Sequence, residues 1–516
     1  MPAARLGEPS DQFKDLESLS PGPSEARNVQ IREVLMQTLM GCQACCAALA
    51  MDAHGQQQNP DLGNLVPLGS YHLGVMGPND QVDVLYVAPL HIRLLDFRSS
   101  LRLRLAQTSG VTASCPVGPD GLLAAPGIAF TMSGVSIRLL LAQQIPGLPM
   151  PSKDTVVPNM AGLLAREVGE QILASVPDQD QFRLLLRLVR YWAKQRGIYG
   201  SELCFFGGMH WAICCARVCQ MSPELQCLQL AAQFFRILSR WDWRQPMALL
   251  PARTPGLPPM PEAQHFADAT FMPVLLPLEP VLPGASYITE TTANIMKKEL
   301  KRGHKKTQQV ELSRSHWTDL CAEAHFFHRY RHYIEFDIMA SDEVVFEEWL
   351  AWSKQRMQGI VQIFETMSSN IVTVRPWPEY MEFQNECWPY ARAVFFGLQL
   401  KIGTEARADG TRKSFDLREP IVKFLQSIGA WPDSEKYSGQ FELLIRHVQL
   451  AELEQWLSKQ RQGQTAISGQ VEQQQAPPLM SGAGRQDWQT DGMAVGNWAF
   501  QEDTQTLVED MQNLSM

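Results

Sequence analysis

The clearest hydrophobic pattern in the chain lies in residues 182–199, where apolar side chains recur at the spacing of one helix face. These positions are Leu185, Leu188, Val189 and Trp192. A second row at helical spacing is basic and consists of Arg183, Arg187, Arg190 and Lys194. The pattern predicts an amphipathic helix that Gly197 ends, with another helix beginning within residues 205–211. Without further context, a basic row of this kind is usually a solvated helix face.

A period of two residues marks residues 82–87, which are rich in β-branched and aromatic side chains. This run predicts a buried strand, and alternation assigns side chains to its two faces. One face carries Gln81, Asp83 and Leu85. Ahead of the strand, Gly69 permits a tight turn, and Ser70 offers a hydroxyl and an amide to phosphate oxygens. The segment therefore combines a candidate phosphate-binding turn with an acidic strand.

Length and composition indicate a large multidomain protein of a reducing compartment. The chain has 516 residues, 45% of them hydrophobic, which fits three domains of ordinary size. No apolar run approaches the roughly 20 residues of a membrane span. The first residues match neither a signal peptide nor a transit peptide. The eleven cysteines are odd in number and lie on apolar segments, which is typical of buried thiols.

Two groups of potential metal ligands each have a structural alternative. The first group is Cys42, Cys45 and Cys46. It includes a C-x-x-C spacing, but no second pair lies nearby, so core packing on a helix is favoured over zinc. The second group is His325, His328 and His332. Aromatic residues lie between these histidines, so we expect an amphipathic helix rather than a metal site.

The net charge of −9 neither proves nor excludes RNA binding, which depends on local Lys and Arg side chains. The balance reverses within residues 297–306, and the basic side chains there form one dense cluster. They are Lys297, Lys298, Lys301, Arg302, His304, Lys305 and Lys306. Such a cluster could guide RNA, serve as a nuclear-import signal, or simply form a solvated helix end.

Several motifs, taken in order, resemble those of eukaryotic poly(A) polymerases. The matches to the family's central domain are residues 182–199, 207–212, 216–220, 233–243 and 272–277, and Tyr287. The matches to its C-terminal module are Trp317 and residues 326–333 and 441–448. The resemblance covers roughly residues 28–458 at close to the family's spacing, so it does not rest on a single motif.

The resemblance implies an α+β multidomain fold. It places a nucleotidyltransferase α/β domain at residues 28–158, a helical central domain at 159–311 and an RNA-recognition-like C-terminal domain at 312–458. Residues 1–27 are expected to form a flexible arm, and the Gln/Gly/Ser-rich residues 459–516 a disordered tail. Aromatic and aliphatic residues in this tail are candidates for a motif that binds RNA-processing proteins: Trp488, Trp498, Phe500 and Leu507.

The resemblance also implies a nucleotide site at definite positions of this chain. The expected nucleotide contacts are Gly69, Ser70, Arg190, Tyr199, Gly208 and Met209. The family's three metal-binding aspartates correspond to Gln81, Asp83 and Arg138. Only Asp83 keeps a carboxylate, so it is the one residue expected to act in catalysis and metal binding.

The changes at Gln81 and Arg138 bear directly on the chemistry. Two-metal nucleotidyl transfer needs several carboxylates around the ions, and Asp83 alone cannot supply them. Asp80 could substitute only if a bulge shifted the strand by one residue. A cation about 4 Å from another cation costs on the order of 4 kcal/mol at a partly screened site. Arg138 could bind a triphosphate or pair with Asp83, giving a metal-independent pocket, or it could point outward from an abandoned site.

Three functions remain open at this point. The first is an enzyme that adds AMP from ATP to an RNA 3′ end with Mg²⁺ or Mn²⁺. The second is a catalytically inactive paralogue that binds ATP or RNA within an RNA-processing complex, and the third is a purely structural interaction protein. We expect the poly(A) polymerase fold with activity reduced or absent, in the nucleus or also the cytoplasm, and no membrane association.

Overall fold

The computed structural model describes residues 19–54, 62–117, 125–143, 161–249, 271–278, 282–367, 371–400, 417–467 and 498–500. The chain forms two compact units, one of residues 1–324 with 350–362 and the other of residues 325–349 with 363–516. Most of the predicted terminal arm and most of the predicted tail lie outside the described residues. The predicted boundary between residues 158 and 159 falls inside the first unit.

The first unit contains a five-stranded mixed sheet in the order β1-β2-β5-β4-β3. Its strands are β1 Asn64–Pro67, β2 Val82–Ala88, β3 Val111–Val117, β4 Gly127–Met132 and β5 Val135–Gln143. β2 and β5 are parallel, and the other neighbours are antiparallel. The register of the parallel pair sets Asp83 directly beside Arg138. Two residues far apart in sequence therefore meet at the centre of the sheet.

Among the described residues, four helices accompany this sheet, one before its first strand and three between its strands along the chain. They are α1 Glu25–His54, α2 Gly69–Leu73, α3 Leu94–Asp96 and α4 Arg102–Ala106, with the π-helical turn Phe97–Leu101 joining the last two. Alternate side chains of β2, beginning at Val82, join a large core that includes α1. The opposite face of the sheet buries a smaller cluster that contains Leu85 and Leu140. Because side chains alternate along a strand, Asp83 and Arg138 lie on this second face.

The rest of the first unit is mainly helical. Its elements are α5 Ala161–Ser175, α6 Gln179–Gln195, α7 Gly208–Met221, α8 Cys227–Leu238, β6 Leu275–Leu276, β7 Leu282–Pro283, α9 Glu290–Glu311 and α10 Trp317–Leu320. The helix predicted from the periodicity is α6. Asp178 caps its first turn by accepting hydrogen bonds from two backbone amides at 2.9 and 3.1 Å. Trp192 on its apolar face is fully buried, with its ring centroid 4.8 Å from that of Phe235, and Gly197 follows the helix at a φ of 60°.

The second unit is built on a sheet in the order β10-β11-β8-β12-β13, and β9 pairs with β11. The strands are β8 His332–Ala340, β9 Ile371–Pro376, β10 Met381–Glu382, β11 Tyr390–Leu400, β12 Phe441–Gln449 and β13 Trp498–Phe500. Helices α11 Glu343–Lys354, α12 Met357–Met367, α13 Arg418–Gly429 and α14 Leu450–Ile467 lie between these strands along the chain. Residues 350–362, which span parts of α11 and α12, belong to the first unit. Sheets and helices in both units confirm the α+β fold class.

The centre of the second sheet buries two carboxyl groups beside one guanidinium. Glu335 and Asp337 lie two residues apart on β8 and are each 2% exposed. Arg446 of β12 places its Nη2 3.0 Å from Glu335 Oε1 and 2.9 Å from Asp337 Oδ2. Burial raises the pKa of both carboxyls, and the negative charge of Asp337 adds to the rise at Glu335.

Three local predictions can be compared with these elements. The strand over residues 82–87 is confirmed as β2. Cys42, Cys45 and Cys46 are confirmed as buried core residues of α1. The amphipathic helix over the three histidines is wrong, because only Phe326–His328 forms a short 3₁₀ turn and His332 begins β8. The β-branched and aromatic residues after His332 favour a strand, and this preference outweighs the helical spacing of the histidines.

Candidate functional site

Nearly all of the predicted site residues line one cavity. It has a volume of about 380 Å³, which is within the usual range for small-molecule sites. It lies between the second face of the first sheet and helices α5, α6 and α7 of the same unit. The predicted residues that line it are Gly69, Ser70, Asp83, Arg138, Arg190, Tyr199, Gly208 and Met209. Gln81 is exposed beside it, and its side-chain amide donates to the Ser136 hydroxyl at 3.2 Å.

The glycine turn lies directly against the acidic strand. Gly69 adopts a φ of 55°, and a Cβ at this position would stand 2.7 Å from Asp83 Oδ2. The Leu68 amide donates to the Asp83 carbonyl at 2.9 Å, which ties the turn to β2. After one short helical turn, Gly74 adopts a φ of 72° and its amide closes the turn onto preceding carbonyls. Glycine is therefore required at 69 for close approach and at 74 for backbone conformation.

Asp83 and Arg138 form an ion pair at the floor of the cavity. Arg138 Nε donates to Asp83 Oδ1 at 2.9 Å. The side chains are 19% exposed for Asp83 and 35% exposed for Arg138, so solvent screens the pair only in part. The guanidinium is thus directed at the carboxylate rather than away from the cavity.

The residues present do not fit the two metal ions that the family resemblance implies. Within the described ranges, no three His, Cys, Asp or Glu side chains come together in a way that could hold a metal ion. Asp83 is the single carboxylate at the expected positions, and a permanent cation already engages it. Mg²⁺ needs near-ideal octahedral oxygen coordination, which this set cannot provide. No catalytic step through a metal follows from this geometry.

Asp80 is not placed as a metal ligand, which would have required a bulge that shifts the strand by one residue. It precedes β2 in a turn, and β2 begins at Val82 without a bulge against β5. Its carboxylate accepts from Arg190 Nη2 and Lys194 Nζ, both at 2.8 Å. Burial by itself would raise the pKa of this carboxyl, but Arg190, Lys194 and a backbone amide together lower it to about 2. Asp80 is therefore the counterion of the basic face of α6.

Arg190 is buried in the wall of the cavity, although basic side chains in a row along a helix are usually exposed to solvent. It is 9% exposed, and its guanidinium donates to Asp80, to the Val75 carbonyl and, at 3.4 Å, to the Tyr199 hydroxyl. Tyr199 reaches this position because Gly208 has no side chain. A Cβ on Gly208 would stand 2.7 Å from Tyr199 Oη. The predicted contacts at 190, 199 and 208 are thus parts of one packed group.

A histidine that the sequence did not single out completes the opposite wall. His210 Nε2 donates to the Gly284 carbonyl at 2.7 Å, which leaves Nδ1 to accept from the Tyr287 hydroxyl at 3.3 Å. Burial lowers the pKa of His210 to about 4, so the imidazole is neutral at neutral pH. Its position one residue after Met209 could have marked it as a candidate site residue. Its partners, Gly284 and Tyr287, belong to another segment of the chain and are brought to it only by the fold.

A second histidine, His72, connects the glycine turn to α5. Its Nδ1 lies 2.7 Å from Arg166 Nη1, and since a guanidinium only donates, the imidazole proton is on Nε2. The same Nη1 donates to the Pro67 carbonyl at 2.8 Å. Burial, and then the Arg166 charge, lower the pKa of His72. Arg166 therefore holds the turn and the helix in register at the rim of the cavity.

A mixed sheet with a glycine turn against its acidic strand, facing a helical region across a nucleotide-sized cavity, defines a nucleotidyltransferase-type architecture. Residues 181–323 match the family model of the poly(A) polymerase central domain. The chain is 32% identical over 377 residues to nuclear poly(A) polymerase 1 of Arabidopsis thaliana, covering 70% of this chain and 52% of that protein. It is 29% identical over 373 residues to poly(A) polymerase pla1 of Schizosaccharomyces pombe, covering 70% and 65%.

The chain belongs to the poly(A) polymerase family. It spans about half the length of the plant relatives that it matches. A solved structure of Cid1, an RNA terminal uridylyl transferase, aligns with a TM-score of 0.43 and 12% identity over 61% of this chain and 98% of that one. This distant likeness carries no argument about function. Among the described helices, none combines the length and the apolar character that crossing a membrane requires.

Proposed function

We propose that this chain is a poly(A) polymerase-family protein that binds ATP and an RNA 3′ end but transfers AMP weakly or not at all. The observation that carries the proposal is the Arg138–Asp83 ion pair, with 2.9 Å between Nε and Oδ1. Asp83 is the one carboxylate at the family's metal positions, and its partner there is a cation. Nucleotidyl transfer by two metal ions depends on both ions being held by protein oxygens.

Nucleotide binding has separate support from the same cavity. Arg138, Arg190 and the Ser70 turn line it, so phosphate oxygens would meet guanidinium and backbone N–H groups instead of metal ions. An arginine fork suits phosphate geometry, although it fixes orientation differently from a metal. Binding of this kind would not require Mg²⁺ or Mn²⁺, whereas catalysis in the family manner would.

The names of the plant relatives describe nuclear poly(A) polymerases, and on this basis we propose that the chain works in the nucleus on RNA. The cytoplasm remains a second location. Of the candidate tail motif, Trp498 and Phe500 lie in β13, which pairs with β12, whereas Trp488 and Leu507 lie outside the described residues. We propose this segment as a contact for RNA-processing proteins.

The test is extension of a labelled oligo(A) primer with ATP, in Mg²⁺ and separately in Mn²⁺. We expect no extension by the unmodified protein and measurable extension by the Gln81→Asp/Arg138→Asp double variant, which places carboxylates at both of these positions. Arg138→Leu is the matched control, because it removes the cation without supplying a metal ligand, and it should stay inactive. Extension by the unmodified protein that Asp83→Ala abolishes would contradict the proposal and establish an active polymerase.

Binding is measured separately with a fluorescent ATP analogue in the presence of EDTA. We expect saturable binding by the unmodified protein and about ten-fold weaker binding by Arg138→Leu, because one charge-assisted contact to phosphate is lost. Saturable binding that appears only with a divalent cation would contradict the metal-independent site. No binding under either condition would favour a purely structural protein.

A further inference from the structure

A second cleft opens on the first unit and shares no residue with the cavity described above. It has a volume of about 470 Å³ and lies where the segment after α8 runs past α9. The lining residues that matter here are Arg240, Trp241, Arg244, Phe271, Lys297 and Lys301. Two of them belong to the lysine cluster at residues 297–306 that the proposed catalytic site leaves unused. The cluster is thus partly built into a concave surface.

The charge of this cleft is strongly one-sided. Among the described residues of its lining, Asp242 is the one acid, and Arg244 engages both of its oxygens at 2.9 Å. Among the described residues, Arg240, Lys297 and Lys301 have no carboxylate partner, and Arg240 Nη2 instead contacts His304 Nε2 at 3.3 Å. Arg240 and Lys301 are exposed. Three cations therefore face the cleft without a carboxylate from the described part of the chain to compensate their charge, which suits an anionic ligand.

Aromatic rings lie among these cations and are held in place. Trp241 is half-buried, and its indole Nε1 donates to the Gln245 carbonyl at 3.1 Å. An indole has no other polar atom, so the remaining exposed part of Trp241 is apolar ring surface. Trp243 is buried against Phe206, with 6.1 Å between ring centroids, and anchors the segment. Phe271, at 47% exposed, is a large apolar side chain left open to solvent.

We propose that this cleft binds single-stranded RNA, with Arg240, Lys297 and Lys301 on phosphates and Trp241 and Phe271 against bases. Aromatic platforms bordered by cations are how single strands are held without sequence readout, because every base has a stacking face. The site would hold RNA away from the 3′ end that enters the first cavity.

A protein ligand that reads the lysine cluster as a linear import signal fits these observations less well. The lysines lie on α9, a regular helix of 22 residues whose Thr289 cap and buried face hold its main chain in place. A receptor for an extended basic segment would have to unfold that helix. The aromatic rings beside the cations would also have no role in such recognition.

The experiment is a fluorescence anisotropy titration of the full-length protein with a labelled oligo(A), repeated at several salt concentrations. Lys301→Glu should weaken binding about ten-fold, and loss of one phosphate contact should lower the salt slope by about 0.7. Trp241→Ala should weaken binding about five-fold or more, while Trp241→Phe should retain most of the affinity because a ring remains. Lys298→Glu is the matched control: it is exposed on the same helix, outside the cleft, and should change binding less than two-fold.

Thermal unfolding midpoints equal to that of the unmodified protein show that each variant is folded. A photoreactive oligonucleotide containing 4-thiouridine should cross-link to the peptide that carries Trp241 or Phe271. The proposal is overturned if Lys301→Glu and Trp241→Ala bind RNA as the unmodified protein does, or if Lys298→Glu weakens binding equally. It is also overturned if these variants lose binding to a nuclear import receptor while RNA binding is unchanged. Nucleotide binding in EDTA is measured independently, so failure of either proposal is recognised separately.

Discussion

At the residue scale, the contact between Gly208 and Tyr199 shows how a missing side chain shapes the nucleotide cavity. We predict that Gly208→Ala displaces Tyr199, because the added methyl group would stand 2.7 Å from its hydroxyl oxygen. Overpacking of this kind costs about 1–3 kcal/mol, and the lower figure applies here because a tyrosine ring can swing toward the cavity. The midpoint temperature of thermal unfolding should decrease, and so should the affinity for a fluorescent ATP analogue.

The same substitution in a Tyr199→Phe background is the control. Without the hydroxyl, the nearest ring atom is Cζ at 3.8 Å from the added methyl group, which is ordinary van der Waals contact. Gly208→Ala should then cost little further stability, and the two changes should be clearly non-additive in a double-mutant cycle. Equal costs of Gly208→Ala in both backgrounds would mean that Tyr199 is not the obstacle.

The sequence predicted which residues line this cavity better than it predicted what they do there. Gly69, Ser70, Asp83 and Tyr199 all line it, because their motifs are local and carry their own backbone geometry. The direction of Arg138 could not be predicted, since it depends on the parallel register of two strands separated by more than fifty residues. The neutral state of His210 likewise depends on burial in the fold, which outweighs the opposing effect of the Gly284 carbonyl on its pKa.

At the element scale, one buried carboxylate joins the end of α6 to α9. Glu299 is 5% exposed and accepts from Arg196 Nε at 2.9 Å and from Arg302 Nε at 3.0 Å. We predict that Glu299→Ala destabilises the first unit by about 3–5 kcal/mol, because it removes the counterion of a buried guanidinium at Arg196. Chemical denaturation should show a lower midpoint. Glu290→Ala is the control, since Glu290 is exposed on the same helix, and it should cost well under 1 kcal/mol.

Elements were predictable wherever the periodicity was long and had a clear end. α6 shows this, because the four apolar positions and Gly197 predicted one helix, and the structure adds the Asp178 cap at its start. The region from His325 to His332 shows the reverse. There, short-range spacing suggested a helix, while pairing of β8 with two neighbouring strands determined the structure.

At the scale of the whole molecule, the two units should respond to pH in opposite senses. An unfolded histidine takes up a proton near pH 6.5, but His210 stays neutral in the fold down to about pH 4. The unfolded state binds more protons in that window, so the first unit loses stability as pH falls through it. Glu335 and Asp337 have raised pKa values and keep protons that the unfolded state releases. They favour the second unit at low pH and destabilise it as pH rises above about 4.5.

Hydrogen exchange resolved by unit, at about pH 7.5 and about pH 5.5 and corrected for intrinsic rates, measures both trends. On acidification, the opening free energy of the first unit should fall and that of the second should rise. Glu335→Gln should flatten the trend of the second unit and His210→Gln that of the first. Burial lowers the pKa of His332, so this residue makes the second unit less stable on acidification and opposes the effect of the two carboxyls. The deciding readout is therefore how far Glu335→Gln changes the pH dependence of the opening free energy. Parallel trends unaffected by either variant would contradict the assignment.

Under the function proposed above, the Arg138–Asp83 pair would make metal chemistry difficult for a lineage to regain. Replacing Arg138 by an uncharged residue deprives Asp83 of its counterion, and replacing it by aspartate sets two carboxylates side by side on adjacent strands. Like charges at that separation are costly until a divalent cation neutralises them, and a third ligand is still missing at Gln81. Each single substitution toward the family's carboxylates would therefore pass through a less stable protein without completing the set of three. Selection acting on one substitution at a time would meet a barrier at this position.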